Sequence, residues 1–299
     1  MKNSNKGLYV IASALAVILI AAIALIVVKP WAEKPSADST TAAVTTAPAT
    51  DAVPGETVSP GTTLAPPQEL APTASDSPSF WRLAAEAQYA ATKGWTNGVD
   101  YVGSIEHDFT RDMVLGLEDL PASSPWVYGS DSAKVTMRVY SDFSCPMCTK
   151  MHSDVFPTLK KLADEGQVRV EWHTLIIFPN YGSDLAALGA EAAAQQDKLW
   201  EFVDAAYSTA GAGAHPEYDD AAVRAVAEKA GLDMAKFDAA YADPATKASL
   251  EASQAAVREL GFTGTPTTLM DSVYISGALP LNYFTNTIEV QNYLAMQGR

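Results

Sequence analysis

The alternation of hydrophobic and polar positions divides the 299-residue chain into three zones. The first zone contains an apolar run at residues 8–28 that no charge or proline interrupts. At ~1.5 Å of rise per residue this run would span about 31 Å, one hydrocarbon thickness of a membrane. Because the apolar region of a cleaved signal peptide is shorter, the run predicts an uncleaved signal-anchor. Residues 1–29 are therefore interpreted as a cytoplasmic tip followed by a transmembrane helix.

The second zone, residues 30–79, is dominated by Pro, Thr, Ala and Ser. Such a stretch buries too little apolar surface to offset the conformational entropy that it would lose on folding. We therefore predict a disordered linker, and its prolines favour an extended chain with a reach on the order of 100 Å.

The third zone, residues 80–299, has the spacing of a folded domain that contains both helices and strands. Apolar residues recur at helical intervals over 80–92, and no clear strand pattern appears before Trp126. Residues 134–140 and 168–175 each predict a strand, the first of them short, buried and rich in β-branched residues. A strand–helix–strand unit of this kind favours parallel pairing.

The helix between these strands is expected to begin at Cys145-Pro146, since proline suits a first helical position, and to end near Ala163. Pro157 lies inside this helix and predicts a kink. Further helices are predicted at 184–196 with Ser183 as cap, 198–207, 219–230, 233–242, and 244–260 with Asp243 as cap. Strands at 267–270 and 273–276 form a predicted hairpin around Asp271-Ser272, and a helix at about 281–295 closes the chain.

The resulting order is β-α-β, a helical insert at about 183–260, and then β-β-α, which predicts an α/β fold. Residues 126–299 would form the main folded domain, and residues 80–125 an N-terminal extension of it. Trp126, Trp172 and Trp200 are expected in the core.

Composition and charge exclude several classes of protein. Hydrophobic residues make up 48% of the chain and charged residues 18%, so a sizeable core is available. With 20 Lys+Arg against 35 Asp+Glu, the formal net charge of −15 repels phosphate backbones and argues against a nucleic-acid partner. Two cysteines are too few for a disulfide-stapled miniprotein or a four-cysteine zinc site.

Both cysteines lie in the segment Cys145-Pro146-Met147-Cys148, where a predicted strand gives way to a helix. A helix N-terminus stabilises a thiolate. The two residues between the cysteines place the second sulfur one helical turn on, close enough to the first for a disulfide. We expect Cys145 to be exposed at the tip of the helix and Cys148 to be shielded. A zinc site is the alternative, with Cys145, Cys148 and His152 as ligands and His173 or Asp142 as the fourth.

Residues 141–148, Ser-Asp-Phe-Ser-Cys-Pro-Met-Cys, resemble the active site of the DsbA-like thiol:disulfide oxidoreductases of the thioredoxin superfamily. Residues 264–267, Gly-Thr-Pro-Thr, resemble the cis-proline loop of that family, and the helical insert is similar to that of the DsbA type. The resemblance covers about 126–299 and implies a thioredoxin-like fold. It also implies that Cys145 is the nucleophile and Cys148 the resolving cysteine of a redox disulfide.

Other site residues follow from the same resemblance. Pro146 and Met147 would complete the active-site motif, Pro266 would be cis and face the disulfide, and the backbone of Thr265 would bind the substrate peptide as an added strand. DsbA-type proteins often carry histidine where this chain has Met147, and many thioredoxin-like proteins carry a buried carboxylate where it has Val139. We therefore expect Cys145 to be less acidic than in a strongly oxidising homologue.

The function implied by the resemblance is that of a membrane-tethered, extracytoplasmic oxidase that introduces disulfide bonds into exported proteins. No cofactor and no metal is expected, because the two sulfurs carry the electrons. Expected partners are unfolded exported proteins with free cysteines and a membrane reoxidant of the DsbB or vitamin-K-epoxide-reductase-like type; the chain itself is expected to be a single-pass membrane monomer. The alternatives are a disulfide reductase or isomerase on the same fold, and a non-catalytic thioredoxin-like binding or chaperone module.

Overall fold

The computed structural model describes residues 78–211 and 213–298. The predicted signal-anchor at 8–28 lies outside the described residues, as does nearly all of the predicted linker at 30–79. Within the described part, no helix has the length and hydrophobicity needed to cross a membrane.

The described residues contain one mixed sheet with the strand order β1-β3-β2-β4-β5. Its strands are β1 (Val127–Tyr128), β2 (Thr136–Ser141), β3 (Arg169–Thr174), β4 (Thr267–Met270) and β5 (Val273–Ser276). β2 and β3 pair in parallel, as the strand–helix–strand pattern predicted, whereas β1, β4 and β5 pair antiparallel to their neighbours. Every residue of the central strand β2 is buried, the polar Thr136 and Arg138 as well as the apolar Met137 and Val139.

The helices lie between and around these strands. They are α1 (Pro78–Lys93), α2 (Asp108–Leu115), α3 (Pro146–Asp154), α4 (Phe156–Asp164), α5 (Ser183–Ala194), α6 (Leu199–Thr209), α7 (Asp220–Lys229), α8 (Met234–Tyr241), α9 (Pro244–Glu259) and α10 (Leu281–Met296). Helices α5 to α9 form the insert between β3 and β4, which confirms the predicted order of elements.

The single kinked helix predicted after β2 is two helices, α3 and α4, that meet at Val155. Val155 has φ −116° and ψ −44°, away from ideal helical values. Pro157 occupies the first turn of α4, where its missing N–H costs no internal hydrogen bond. Proline therefore starts a new helix here instead of bending a continuous one.

Helix α5 does not begin as predicted. Ser183 is its first residue and not its cap, and the cap position is Gly182, with φ +76°. A Cβ at Gly182 would lie 1.8 Å from the carbonyl oxygen of Tyr218, so no larger residue fits. The helix cap predicted at Asp243 is confirmed, because the Asp243 side chain accepts a hydrogen bond from the backbone N–H of Ala245 at the start of α9.

The extension before β1 packs against the last helix and the hairpin. Tyr89 of α1 stacks on Tyr293 of α10 with ring centroids 4.1 Å apart. The buried Arg82 side chain donates to the Ser272 hydroxyl at 2.9 Å and to the Gln291 side-chain oxygen at 2.6 Å. The extension is thus joined to the domain by buried polar contacts as well as by aromatic packing.

The main core lies between the sheet and helices α3 to α8, with Phe284 and Ile288 of α10. Trp172 is fully buried there, while Trp126 and Trp200 are partly buried and pack against the same cluster. All three tryptophans thus contribute to the core, as the sequence predicted.

Candidate active site

The cysteine motif begins where the central strand ends. β2 stops at Ser141, a short turn follows, and Cys145 occupies the cap position of α3 with Pro146 as the first helical residue. The buried carboxylate of Asp142 accepts hydrogen bonds from the backbone N–H groups of Ser144 at 2.7 Å, Ile177 at 2.6 Å and Phe178 at 2.9 Å. These bonds tie the turn before Cys145 to the chain that follows β3.

The predicted cis-proline loop lies against the first cysteine. The Thr265-Pro266 peptide bond is cis, as expected. The Cys145 Sγ donates a hydrogen bond to the carbonyl oxygen of Thr265 at 3.3 Å, although 120 positions separate the two residues. Met147, the second middle residue of the motif, is 45% exposed beside them.

The expectation that Cys145 would be exposed is wrong. Only 4% of Cys145 is exposed, hardly more than the 2% of Cys148. The reason is the tertiary contact with Thr265, because the loop before β4 covers the sulfur that the helix alone would leave open.

The two thiols, both free in this structure, differ strongly in acidity. The pKa of Cys145 is lowered to about 6, chiefly because the Cys148 thiol donates a hydrogen bond to its sulfur. Burial opposes this effect, while Thr265 and the backbone N–H groups of Cys148 and Met147 add to it. This value agrees with the expectation of a thiolate less acidic than the ~3.5 of a strongly oxidising member of the class.

Burial raises the pKa of the Cys148 thiol well above its ordinary value, and the nearby Cys145 sulfur raises it further. Hydrogen bonds from the Ser141 side chain and from the backbone N–H of Asp142 act in the opposite direction. At neutral pH the reduced pair therefore holds one thiolate, on Cys145, and one thiol, on Cys148.

Two groups of polar and aromatic residues at the site were not identified from the sequence. Beneath Cys148, the Ser141 hydroxyl lies 2.8 Å from the Tyr207 hydroxyl of α6. Beside the turn, His215 Nδ1 lies 2.7 Å from the carbonyl oxygen of Ser144, and its ring stacks on Tyr181 at 4.3 Å. No sequence motif marks Tyr207 or His215, because the insert carries both to the site from more than 55 positions away.

The zinc alternative requires ligands that do not converge. The Nε2 atom of His152 is 3.0 Å from Asp204, and the His173 Nε2 is 3.5 Å from Glu171. The Asp142 carboxylate is already bonded to backbone N–H groups. Among the residues described, no group of three or more His, Cys, Asp or Glu side chains is arranged to hold a metal ion.

A strand, a Cys-x-x-Cys helix start, a facing cis-proline loop and a helical insert together define a DsbA-like protein of the thioredoxin superfamily. A family model described as thioredoxin matches residues 122–290, which is more than half of the chain. The chain belongs to the thioredoxin family.

Individual relatives agree with this assignment. Disulfide bond formation protein D of Bacillus subtilis is 37% identical over 79 residues, which cover 25% of this chain and 35% of that protein. Probable disulfide bond formation protein D of Bacillus cereus is 35% identical over 112 residues, which cover 36% of this chain and 50% of that protein. The chain thus spans half or less of the length of these relatives.

The fold is also that of solved structures. The crystal structure of Wolbachia pipientis alpha-DsbA1 superposes with a TM-score of 0.53 and 21% identity, covering 63% of this chain and 98% of that one. The thioredoxin-like fold and the DsbA-like resemblance predicted from the sequence are therefore confirmed.

Proposed function

We propose that the protein is a thiol:disulfide oxidoreductase that introduces disulfide bonds into exported proteins through the Cys145–Cys148 pair. A client thiolate attacks the Cys145 sulfur of the oxidised pair, the bond to Cys148 breaks, and the electron pair leaves on Cys148. A second client thiolate then attacks the client sulfur of the mixed disulfide and releases the Cys145 thiolate. The client loses two electrons, the pair gains them, and no cofactor is needed.

The observation that carries this proposal is the lowered pKa of Cys145, about 6, beside the raised pKa of Cys148. A thiol of low pKa is the better leaving group, so Cys145 is readily released when a client closes its own disulfide. A merely structural disulfide does not require two sulfurs of such different acidity.

The cis-proline loop supports a binding role for its backbone. The Thr265 carbonyl oxygen, next to cis Pro266, accepts its hydrogen bond from the Cys145 thiol. When Cys145 is a thiolate or part of the disulfide, its sulfur has no hydrogen to donate to this carbonyl, and a backbone N–H of an extended client segment can take that place. Clients would thus dock beside the sulfur that they attack.

We also propose the setting and partners expected from the sequence. The catalytic domain lies outside the cytoplasm on a membrane-anchored, monomeric chain, since the cytosol keeps such cysteine pairs reduced. A membrane protein of the DsbB or vitamin-K-epoxide-reductase-like type takes up the electrons. The relatives named disulfide bond formation protein D support the disulfide chemistry that this setting would serve.

The test uses the oxidised full-length chain in detergent and reduced, unfolded ribonuclease, followed by the recovery of ribonuclease activity. We expect stoichiometric oxidation of the client, lost in Cys145→Ser and Cys148→Ser. Activity on scrambled ribonuclease alone would favour the isomerase instead. No activity in either assay, with wild type and Cys145→Ser alike, would favour the binding module and overturn the proposal.

A further inference from the structure

The buried cysteine of the pair lacks the charged side chain that many related proteins place beneath it. Val139, the position at which many related proteins place a carboxylate, is fully buried and apolar. Cys148 is 2% exposed, so water is excluded as well. The negative charge that appears on Cys148 when the disulfide opens must therefore be stabilised by neutral groups.

Two neutral hydroxyl groups occupy this space. The Ser141 side chain is within hydrogen-bonding reach of the Cys148 sulfur and lies 2.8 Å from the Tyr207 hydroxyl. The Tyr207 hydroxyl also donates to the carbonyl oxygen of Asp142 at 3.0 Å. Ser141 is 2% exposed and Tyr207 3%, so both hydroxyl groups are held by protein contacts alone.

Their hydrogens can serve Cys148 in either protonation state without any movement of heavy atoms. In the mixed disulfide, where Cys145 is no longer a thiolate that accepts its hydrogen, a Cys148 thiol donates to the Ser141 oxygen and the Ser141 hydroxyl donates to Tyr207. When Cys148 is a thiolate, the Ser141 hydrogen rotates towards the sulfur, while Tyr207 remains hydrogen-bonded to the Ser141 oxygen or to the Asp142 carbonyl.

We propose that Ser141, positioned by Tyr207, is the side-chain hydrogen-bond donor that stabilises the Cys148 thiolate released when the Cys145–Cys148 disulfide opens. The inference rests on the proposed function, since it assigns a role within the first step of the exchange. Ser141 contacts a reacting atom, whereas Tyr207 acts through Ser141 and is a positioning residue.

The other ionisable groups around Cys148 are already accounted for. Asp142 directs its carboxylate to backbone N–H groups, and Cys145 is bonded to the client after the first attack. His152 stacks on the Tyr207 ring at 4.8 Å, but its Nε2 is 3.0 Å from Asp204. Burial raises the pKa of Tyr218 so far that this side chain stays neutral over the pH range of the assay.

The test measures the reverse of the opening step on the full-length chain. Reduced protein is converted to a mixed disulfide between Cys145 and thionitrobenzoate, and the attack of Cys148 on Cys145 releases the coloured thiolate. The pH dependence of this release reports the apparent pKa of Cys148. A hydrogen bond to a charged group corresponds to about one to two pKa units, so Ser141→Ala should raise the apparent pKa by that amount.

Ser141→Ala should also change the rate at which thionitrobenzoate is released. A less stabilised thiolate is scarcer at a given pH, which slows the release, but each thiolate is more nucleophilic. With a Brønsted coefficient of ~0.4–0.5, this higher nucleophilicity recovers about half of the loss in rate on a logarithmic scale. Ser141→Ala should therefore release thionitrobenzoate about threefold to tenfold more slowly at neutral pH. Tyr207→Phe should shift the apparent pKa in the same direction by a smaller amount, and Ser141→Thr, which keeps the hydroxyl, should restore it.

Ser183→Ala is the matched control, because it removes another buried serine hydroxyl, one with no hydrogen-bond partner among the described residues. It should leave the pH profile unchanged. If Ser141→Ala fails to fold, Tyr207→Phe decides the question. An unchanged apparent pKa in the variants that fold overturns the role of Ser141 and leaves the proposed function intact, whereas no release by the labelled wild type overturns the proposed function itself.

Discussion

At the scale of single residues, the two cysteines show how position alone separates two identical side chains. Cys145 caps a helix and accepts hydrogen bonds from Cys148 and from backbone N–H groups, which lowers its pKa to about 6. Cys148 lies one turn further, in the core, where burial raises its pKa. Each thiol shifts the other, so the pair must be treated as a unit.

This coupling predicts the effect of removing one member. Cys148→Ala deletes the hydrogen bond that contributes most to the low pKa of Cys145, so that pKa should rise from about 6 towards the ordinary 9.0. Titration of thiolate absorbance against pH in the ultraviolet measures the change. Cys145→Ser is the control and should lose the transition near pH 6. A midpoint that stays near 6 in Cys148→Ala would mean that the helix N-terminus is the dominant cause.

At the scale of an element, the β4–β5 hairpin contains an acid in an unfavourable place. Asp271 opens the turn with φ +46°, accepts a hydrogen bond from the backbone N–H of Thr136, and is buried enough to raise its pKa from 3.8 to about 6. A raised pKa means that the folded state binds this proton more tightly than the unfolded state. The protonated Asp271 therefore makes its full contribution to the stability of the folded state below pH 3.8, and this contribution is lost as the pH rises through about 6.

Asp271→Asn should stabilise the protein at neutral pH. Asparagine tolerates the left-handed backbone, keeps an oxygen for the Thr136 N–H, and carries no charge. We expect a gain of up to about 3 kcal/mol at pH 7 that disappears below pH 4, measured by urea unfolding at each pH. The exposed Glu251 of α9 offers the control, since Glu251→Gln should show no such pH dependence. Equal stability of Asp271→Asn and wild type at pH 7 would contradict the account.

At the scale of the whole molecule, the buried Arg82 of the extension and the active site lie at opposite ends of the central strand. Arg82 bonds to Ser272 in the hairpin turn, which lies at the Thr136 end of β2, while the cysteines follow the Ser141 end. Six residues at ~3.3 Å per residue separate the two ends by roughly 20 Å. The Arg82 contacts therefore contribute to stability at a distance from the cysteines.

Arg82→Ala should lower the stability of the fold without changing the reactivity of the cysteines. It removes the 2.6 Å donor to the buried Gln291 oxygen and a positive charge near the buried Glu86 carboxylate, which then keeps its hydrogen bonds from the Ser104 backbone N–H, so unfolding in urea should show a loss of about 2–4 kcal/mol. The release of thionitrobenzoate should proceed at the wild-type rate under conditions where the variant is folded. Lys93→Ala is the control on the same interface, because its ion pair with Glu289 is half-exposed and contributes little. A slower release in folded Arg82→Ala would show that the extension does reach the site.

The sequence by itself determined the features that depend on neighbouring residues. The hairpin strands at 267–270 and 273–276, the cap at Asp243 and the position of the cysteines at a helix start follow from patterns only a few residues long. The order of these elements predicted an α/β fold, and the resemblance of residues 141–148 and 264–267 to DsbA-like motifs implied the thioredoxin-like fold. The two-residue strand β1 escaped detection because so short a segment has no periodicity.

The tertiary structure alone decided what surrounds each sulfur. The Thr265 loop covers Cys145 from 120 positions away, and α6 brings Tyr207 to Ser141 across 66 positions. Such contacts depend on how the insert and the hairpin pack on the sheet, and no local pattern encodes that packing. A short motif thus identifies the reactive residues, whereas their accessibility and acidity are set by contacts between distant parts of the chain.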